Sequence, residues 1–446
     1  MNRREIVDYI LELEQNYSVQ TWEVQGVDIW PIIKRDIFFL WHNRERRKTE
    51  KVRDRRRTRS ISLLLRSFIK FISLFIKRER QVDVAFCGAE FHRVVYKNKF
   101  VNRYYYPLVE KHIYKSYIEI EYSRKKENEQ YENSEKIIFL DDFLPFVKLL
   151  NFFRPRLIVD IPELVTMVDS FSQILGISKD RYLKELSQKV SSVLNCILLF
   201  RLIFKKYQPK VSLGLCYYNL PMFAMHFVAN EYRIENWDVQ HGGQGKLHVM
   251  YTYASKSHFN ILPMGFWCWD DTSKKNIASW IAGQNYHRAE NKGNPWLTFQ
   301  LKDAKFTFSQ KKIILYTLQE TFLEDYIIEA IKDSPIEFEW WLRLHPRMID
   351  ARAEIENILE KNKISQKTNI THACSYPLPV ILSNSSLHIS KYSGSIIEAA
   401  LLGVKTIIVD PTGVDTYQDY VDSNDAIPFL EKDSKKLLEH IITMTN

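Results

Sequence analysis

The stretch SNSSLHISKYSGSIIEAALLGVKTIIVD (383–410) reads as strand, turn, helix and strand in close succession. LHISK (387–391) has the apolar density of a strand, Tyr392-Ser393-Gly394-Ser395 breaks it, a helix is expected over 394–402, and KTIIVD (405–410) follows as a second strand. Strands alternating with helices argue for a parallel sheet covered on both faces. Small residues and hydroxyls at a helix start let backbone N–H groups and the helix dipole meet an anion, most naturally a phosphate. Ser393, Gly394 and Ser395 are the candidates for that contact, and Glu398, one turn in, is placed to accept hydrogen bonds from ribose hydroxyls. Capping accounts for the same residues without a ligand: Ser393 or Ser395 as N-cap, with Ser395 to Glu398 fitting the S-x-x-E capping box.

Two strands earlier, WWLRLHPRM (340–348) runs from a dense apolar strand into a histidine followed by proline. Pro346 lacks a backbone donor and holds His345 extended, just past the carboxyl end of a strand, where open α/β sheets place ligand-contacting groups. Arg343 and His345 share a strand face and Arg347 lies past the proline. The plainer reading is a surface turn that contains a histidine.

The same alternation extends in both directions. Strands are expected at VDVAFCG (82–88), IIFLDDF (137–143), RLIVDIPE (156–163), KVSLGLCYY (210–218), ENWDVQHGG (235–243) and KKIILYTLQ (311–319). Helices are expected near 189–207, 220–232, 271–283, 321–333, 350–362 and 433–443. NKGNPW reads as a linker. The fold class is therefore α/β with two Rossmann-like doubly wound domains facing a cleft and an N-terminal helical extension. The boundaries are 1–81 for the extension, 82–292 for the first domain and 293–446 for the second.

Composition excludes several classes. The 446 residues are 45% hydrophobic and 26% charged, a globular balance. Cysteines at 87, 196, 216, 268 and 374 form no C-x-x-C pair, so neither a disulfide framework nor a zinc site is expected. The start MNRREIVDYILELEQ reads as a charged amphipathic helix, not a signal peptide, and no run of 18 uncharged apolar residues is present. The net charge of +9 gathers in RERRKTEKVRDRRRTR (44–59), which holds ten Lys/Arg against three Asp/Glu. SISLLLRSFIKFISLFIKRER follows, an apolar helix with one narrow polar stripe. That pairing reads as docking on an anionic membrane surface, with internal helix packing as the alternative and nucleic-acid binding as the weakest reading.

The His-Pro element followed by a serine-rich turn with glutamate resembles the carboxyl-terminal nucleotide-binding half of GT-B glycosyltransferases. It is especially similar to bacterial sialyltransferases and polysialyltransferases, Kdo transferases, and teichoic-acid polyol-phosphate transferases. WDVQHGGQGKLHVMYTY (237–253) resembles the QHG element that closes the amino-terminal half of many such enzymes. It is not a P-loop, because Gln240 and Leu247 break the G-x-x-x-x-G-K-[ST] pattern. The resemblance covers roughly 82–446. It implies an inverting, metal-independent transferase of capsule, O-antigen or lipopolysaccharide assembly, without cofactor. The absence of a D-x-D pair from the sequence argues the same way about metal.

The implied partners are a nucleotide-sugar donor, plausibly CMP-linked, and a glycan or lipid-linked acceptor, with no nucleic acid. The implied location is cytoplasmic, peripheral on the inner face of the membrane. His345, flanked by Arg343 and Arg347, would stabilise charge on the leaving phosphate. The acceptor base is Glu90 in CGAEFHR or Asp160 in RLIVDIPE, with Asp142 and His92 as outsiders. His241, Gly242 and Gly243, together with His92, would line the acceptor side, His241 being otherwise a core histidine. The alternatives are a CDP-polyol phosphotransferase, a sugar-nucleotide 2-epimerase or a non-catalytic assembly scaffold.

Overall fold

The computed structural model describes residues 2–43, 61–76, 81–123, 131–152, 157–302, 306–308 and 310–445. The chain forms two compact units, Met1–His241 with His248–Gly293, and Gly242–Leu247 with Asn294–Asn446. Each is a Rossmann-like α/β domain with a parallel sheet, and the first also carries the N-terminal helices. This is the two-domain α/β class expected from the alternation of strands and helices.

The first unit begins with helix α1 (Arg3–Asn16), the two-residue strands β1 (Glu23–Val24) and β2 (Val27–Asp28), and helices α2 (Trp30–His42) and α3 (Ile61–Ile76). Its main sheet uses β3 (Val84–Gly88), β6 (Tyr117–Glu121), β7 (Ile137–Phe139), β8 (Val211–Gly214), β9 (Glu235–Val239), β10 (Gly265–Cys268) and β11 (Arg288–Asn291). A separate antiparallel hairpin joins β4 (Arg93–Tyr96) to β5 (Lys99–Asn102). The sheet order is β11-β10-β9-β8-β3-β6-β7, all neighbours parallel. From β3 the chain builds outward to β6 and β7, then crosses over and builds β8 to β11 on the other side. β3 and β8 are therefore the switch point, where a crevice opens beyond the strand carboxyl ends.

Helices α4 (Leu144–Phe152), α5 (Pro162–Leu175), α6 (Lys179–Tyr207), α7 (Leu220–Glu231) and α8 (Asp271–Ile281) supply the crossovers and cover. The strand expected over 156–163 does not form: residues 157–161 take no regular structure and Pro162 opens α5 instead. Among the described residues one helix, α6, is long and apolar enough to cross a membrane, and half of its apolar window is buried inside the protein.

The second unit repeats the plan. Its strands are β12 (Lys312–Leu318), β13 (Phe338–Leu344), β14 (Thr368–Asn369), β15 (Leu387–Ser390), β16 (Thr406–Ile408) and β17 (Ala426–Pro428), in the parallel order β14-β13-β12-β15-β16-β17. Here the switch point lies between β12 and β15. Strand alternation divides the core in two. Ile314, Tyr316, Trp340, Leu342 and Ile389 pack on one face with α9 (Asp325–Asp333), α10 (Arg352–Lys361) and α12 (Ser434–Thr445). Ile313, Leu315 and Trp341 pack on the other with Ala399 of α11 (Ser395–Leu401).

The N-terminal helices are part of the first unit's core. Lys34 and Glu14 form an ion pair at 2.6 Å with no exposed side-chain surface. Glu14 also accepts from Trp30 Nε1 at 2.8 Å and from the Ala254 amide at 2.6 Å, while the Lys34 ammonium donates to the Thr252 carbonyl and lies 3.5 Å from the Tyr253 ring centroid. Every charge in the cluster is answered, so its cost of desolvation is offset only while both partners are present. Lys34→Met is expected to destabilise the protein by about 3–5 kcal/mol, and the double variant Glu14→Gln, Lys34→Met by clearly less. Urea unfolding of the three proteins checks this; equal losses for the single and double variants would contradict it.

Candidate functional site

The second unit's switch point is built on hydroxyls and an imidazole. Thr317 at the end of β12 and Ser390 at the end of β15 are register partners, and their hydroxyls are 2.9 Å apart. Thr317 Oγ1 also lies 3.0 Å from His388 Nε2 and 3.1 Å from Ser395 Oγ, the first residue of α11. The other ring nitrogen, His388 Nδ1, is 2.9 Å from Thr406 Oγ1 on β16. All five residues are buried. Burial holds the His388 pKa down to about 3, so the ring is neutral. A polar network this enclosed is stable only when each member is satisfied, and it fixes the turn 391–394 that it underlies.

Above this network, Gln319 Oε1 accepts from the Tyr392 amide at 3.2 Å, and Gln319 Nε2 reaches Ser390 Oγ at 3.4 Å. Lys391 pairs with Glu320 and, at 2.5 Å, with Glu324. Gly413 has no room for a side chain, since a Cβ there would lie 1.7 Å from the Lys391 carbonyl oxygen. The turn is thus held from the β12 side by Gln319, from below by Ser390 and Ser395, and from behind by Gly413.

The predicted residues of this unit divide. Ser393 Oγ accepts from the Ser395 amide at 3.2 Å, while Gly394 occupies the N-cap without a side-chain bond, so the capping reading fails in detail. Arg343 spends its Nη1 on the carbonyls of Ala373 (2.6 Å) and Tyr376 (2.7 Å). Burial lowers the Arg343 pKa, and the nearby Cys374 and Glu398 act the other way. His345 directly follows β13, and its carbonyl accepts from the Met348 amide at 2.7 Å. Arg347 belongs to the 3-10 turn Pro346–Ala351, but its side chain lies outside the described residues. Gly242 and Gly243 belong to this second unit and not to the first. Gly243 lies against Tyr417, a Cβ on Gly245 would come within 2.9 Å of the Thr416 carbonyl, and Lys246 pairs with Asp419 at 3.4 Å.

The first unit's switch point gathers histidines and tyrosines. After β8 the chain turns sharply at Cys216, whose φ of 58° lies in the left-handed region. Asp238 at the end of β9 holds that turn, accepting from the Tyr217 amide at 3.0 Å and from Tyr251 Oη at 2.6 Å. Burial pushes the Asp238 carboxyl up to about 7. Cys216 Sγ lies 2.8 Å from His241 Nε2 and 3.8 Å from His92 Nε2, and Tyr218 Oη lies 3.2 Å from His241 Nε2. His92 Nδ1 accepts from the Ala89 amide, which fixes its tautomer. Burial depresses both imidazoles, His241 to about 4 and His92 well below its ordinary value, and raises the Tyr218 phenol. Glu90, half-buried in the turn after β3, accepts from Ser123 Oγ. Gln240, the residue before His241, is structural: its side-chain amide donates to Ser273 Oγ at 3.0 Å and accepts from the Trp269 amide at 2.6 Å.

Asp160 stands elsewhere. It is exposed and lines a groove of about 1360 Å³ with Lys148, Lys184, Leu198 and Phe227, along α6 and away from the β3 and β8 ends. Asp142 lies 3.8 Å from Lys70 of α3. Among the described residues, no group of three or more His, Cys, Asp and Glu is arranged to hold a metal ion. Sequence reasoning missed Thr317, His388, Ser390, Gln319, Cys216 and Tyr218. The one signal available was spacing, since His388 and Ser390 are two apart on a strand and share a face.

No family model and no curated protein matches the chain. Solved structures do resemble it. A UDP-GlcNAc 2-epimerase from Methanocaldococcus jannaschii shares 12% identity over 81% of this chain and 92% of its own, with a TM-score of 0.49. The Neisseria meningitidis UDP-GlcNAc 2-epimerase, bound to UDP-GlcNAc, shares 14% over 81% and 90%, with a TM-score of 0.45. The enzyme from Rickettsia bellii shares 10% over 82% and 88%, with a TM-score of 0.43. These are similarities of fold. They correct the expected membership of the sialyltransferase, Kdo transferase and polyol-phosphate transferase families, and with it the reading as an inverting glycosyltransferase with a CMP-linked donor. The physical reason is that a serine turn and a His-Pro element at strand ends are features that several chemistries can share, and they do not record which reaction follows.

The neutral state of His388 has a measurable consequence. Histidine in the unfolded chain titrates near 6.5, whereas folded His388 is held to about 3. Below pH 6.5 the unfolded chain binds the extra proton, so this share of stability is present above pH 6.5 and lost as the pH falls towards 3. Each such histidine contributes a slope of at most about 1.4 kcal/mol per pH unit. Urea unfolding at pH 7 and pH 5 is expected to show a smaller loss for His388→Asn than for the wild type; an equal loss would show that His388 is not held neutral.

Proposed function

We propose that the protein binds a nucleotide sugar and inverts the sugar at C2, without passing it to an acceptor. The observation that carries this reading is the buried Thr317–His388–Ser390–Ser395 network, which fixes the turn 391–394 at the second unit's switch point. A preorganised turn of this kind presents the Ser393 hydroxyl and backbone N–H groups to phosphate without reorganisation on binding. We assign His345, Ser393 and Gly394 to the nucleotide phosphates and Glu398 to the ribose, with Ser395 supporting the turn through its buried hydroxyl.

Inversion at C2 needs one group to take the C2 proton while its electron pair forms a C1=C2 double bond and the nucleoside diphosphate leaves C1 with the C–O electron pair. Another must return a proton to the opposite face of C2 while the diphosphate oxygen re-forms its bond to C1. The first unit offers groups from two flanks of its switch point: Glu90 after β3, and the Tyr218–His241 pair after β8 and β9. We assign Glu90 to withdraw the proton. Tyr218, kept as a phenol by burial and hydrogen-bonded to the neutral His241, is assigned to return it. Likeness of fold to UDP-GlcNAc 2-epimerases supplies the probe for this reading.

UDP-GlcNAc incubated with the protein in D2O is expected to gain deuterium at C2 and to yield the manno epimer, followed by proton NMR. Glu90→Gln is expected to slow exchange about a hundredfold while leaving UDP affinity unchanged. Thr317→Val is expected to weaken UDP binding. UDP binding by the wild type without any C2 exchange would overturn the reaction assigned here, and absence of UDP binding would overturn the site.

A further inference from the structure

Helix α3 leaves much of its apolar surface exposed. Along its 16 residues the side chains that point into the protein include Ser67, 2% exposed, and Leu74, 8% exposed. Ser67 Oγ donates to the Phe143 carbonyl and accepts from the Phe146 amide, both at 3.0 Å, and Lys206 Nζ of α6 donates to the Ser73 carbonyl at 2.8 Å. The helix is anchored to α4 and α6 by these polar contacts together with Phe68 and Phe71, whose ring centroids lie 5.0 and 5.1 Å from that of Phe146. Its outer face is aliphatic. Ile61 is 84% exposed, Leu65 58% and Ile69 59%, at i, i+4 and i+8, which puts them in one stripe. Phe68 and Phe75 are exposed along one flank of that stripe, and Arg66 and Lys70 along the other. A soluble surface helix has the reverse arrangement, and a contiguous exposed apolar stripe marks an interaction site.

We infer that this face of α3 lies in the interface of an anionic lipid bilayer, parallel to its surface, with Ile61, Leu65 and Ile69 pointing into the acyl boundary. The charge pattern selects this occupant. Arg66 and Lys70 border the stripe at the height where headgroups would lie, and residues 44–59, which precede the helix in sequence, hold ten Lys/Arg against three Asp/Glu. A second copy of the chain would bring the same positive charges face to face, whereas anionic headgroups neutralise them. The polar anchor fits the same role: Ser67, Ser73 and Lys206 hold the helix to the domain without drawing on the aliphatic side chains left for the lipid. This inference stands apart from the nucleotide reading, since none of its residues lies at either switch point.

The test uses the full chain and vesicles of phosphatidylcholine with and without phosphatidylglycerol. Wild type is expected to sediment with the anionic vesicles, and less so as salt is raised. Ile61→Gln, Leu65→Gln and Ile69→Gln together are expected to reduce partitioning about a hundredfold or more, with an unchanged melting temperature and unchanged UDP binding. Arg66→Gln with Lys70→Gln is expected to weaken binding and its dependence on anionic lipid. Equal sedimentation of wild type and the triple glutamine variant, or no sedimentation of wild type with either vesicle, would overturn the inference. So would a wild-type dimer, seen by analytical ultracentrifugation without vesicles, that the triple variant dissolves.

Discussion

Both units depend on one constraint, that every strand of the main sheet points the same way. A parallel sheet cannot close its strands with short hairpins, so each connection is a crossover and all strand carboxyl ends meet along one edge. Where the strand order reverses, two adjacent strands send their chains to opposite faces and leave a crevice. In the first unit that pair is β3 and β8, and in the second β12 and β15. Glu90, His92, Cys216 and Tyr218 follow the first pair, while Gln319, Lys391 and the serine turn follow the second. Two sets of residues far apart in sequence are thereby delivered to two defined places.

The two crevices are made rigid by different means. In the second unit the work is done by neutral groups, hydroxyls around an imidazole that burial keeps unprotonated. Neutral hydrogen bonds avoid the desolvation of an ion, and the network needs only that each donor meet an acceptor. The first unit tolerates charge, but only where it is answered. Arg93 from the β4–β5 hairpin is pinned between Glu119 and Glu121 of β6, 2.8 Å from the latter. Burial pushes Glu121 up to about 8, Arg93 draws it down, and Glu119 beside it adds to the rise. Lys34 with Glu14 follows the same rule at the N terminus.

How far the sequence could be read follows from these choices. Strands such as VDVAFCG and KKIILYTLQ were legible because strands buried on both faces are apolar runs, and both fall on observed strands, β3 and β12. YIEIE, which is β6, was missed because its glutamates look solvated, and their partner Arg93 comes from a hairpin that only the fold brings near. The segment at 156–163 looked like a strand, but Pro162 starts a helix there and leaves Asp160 in a groove. The serine turn was legible as a strand-to-helix turn. Its support was not, since Thr317 and His388 are 71 residues apart. The reaction was not legible at all, because a turn able to hold a phosphate would serve transfer and rearrangement alike.

The central claim is that the second unit's switch point holds a nucleotide. Hydrogen–deuterium exchange of the full chain, with and without UDP, reads it directly, because bound phosphate occupies the amides of the turn and suppresses their opening. The account predicts that UDP slows exchange in the peptides spanning 388–398 and 317–320. Unchanged exchange in those peptides at saturating UDP, with protection appearing only elsewhere, would contradict it.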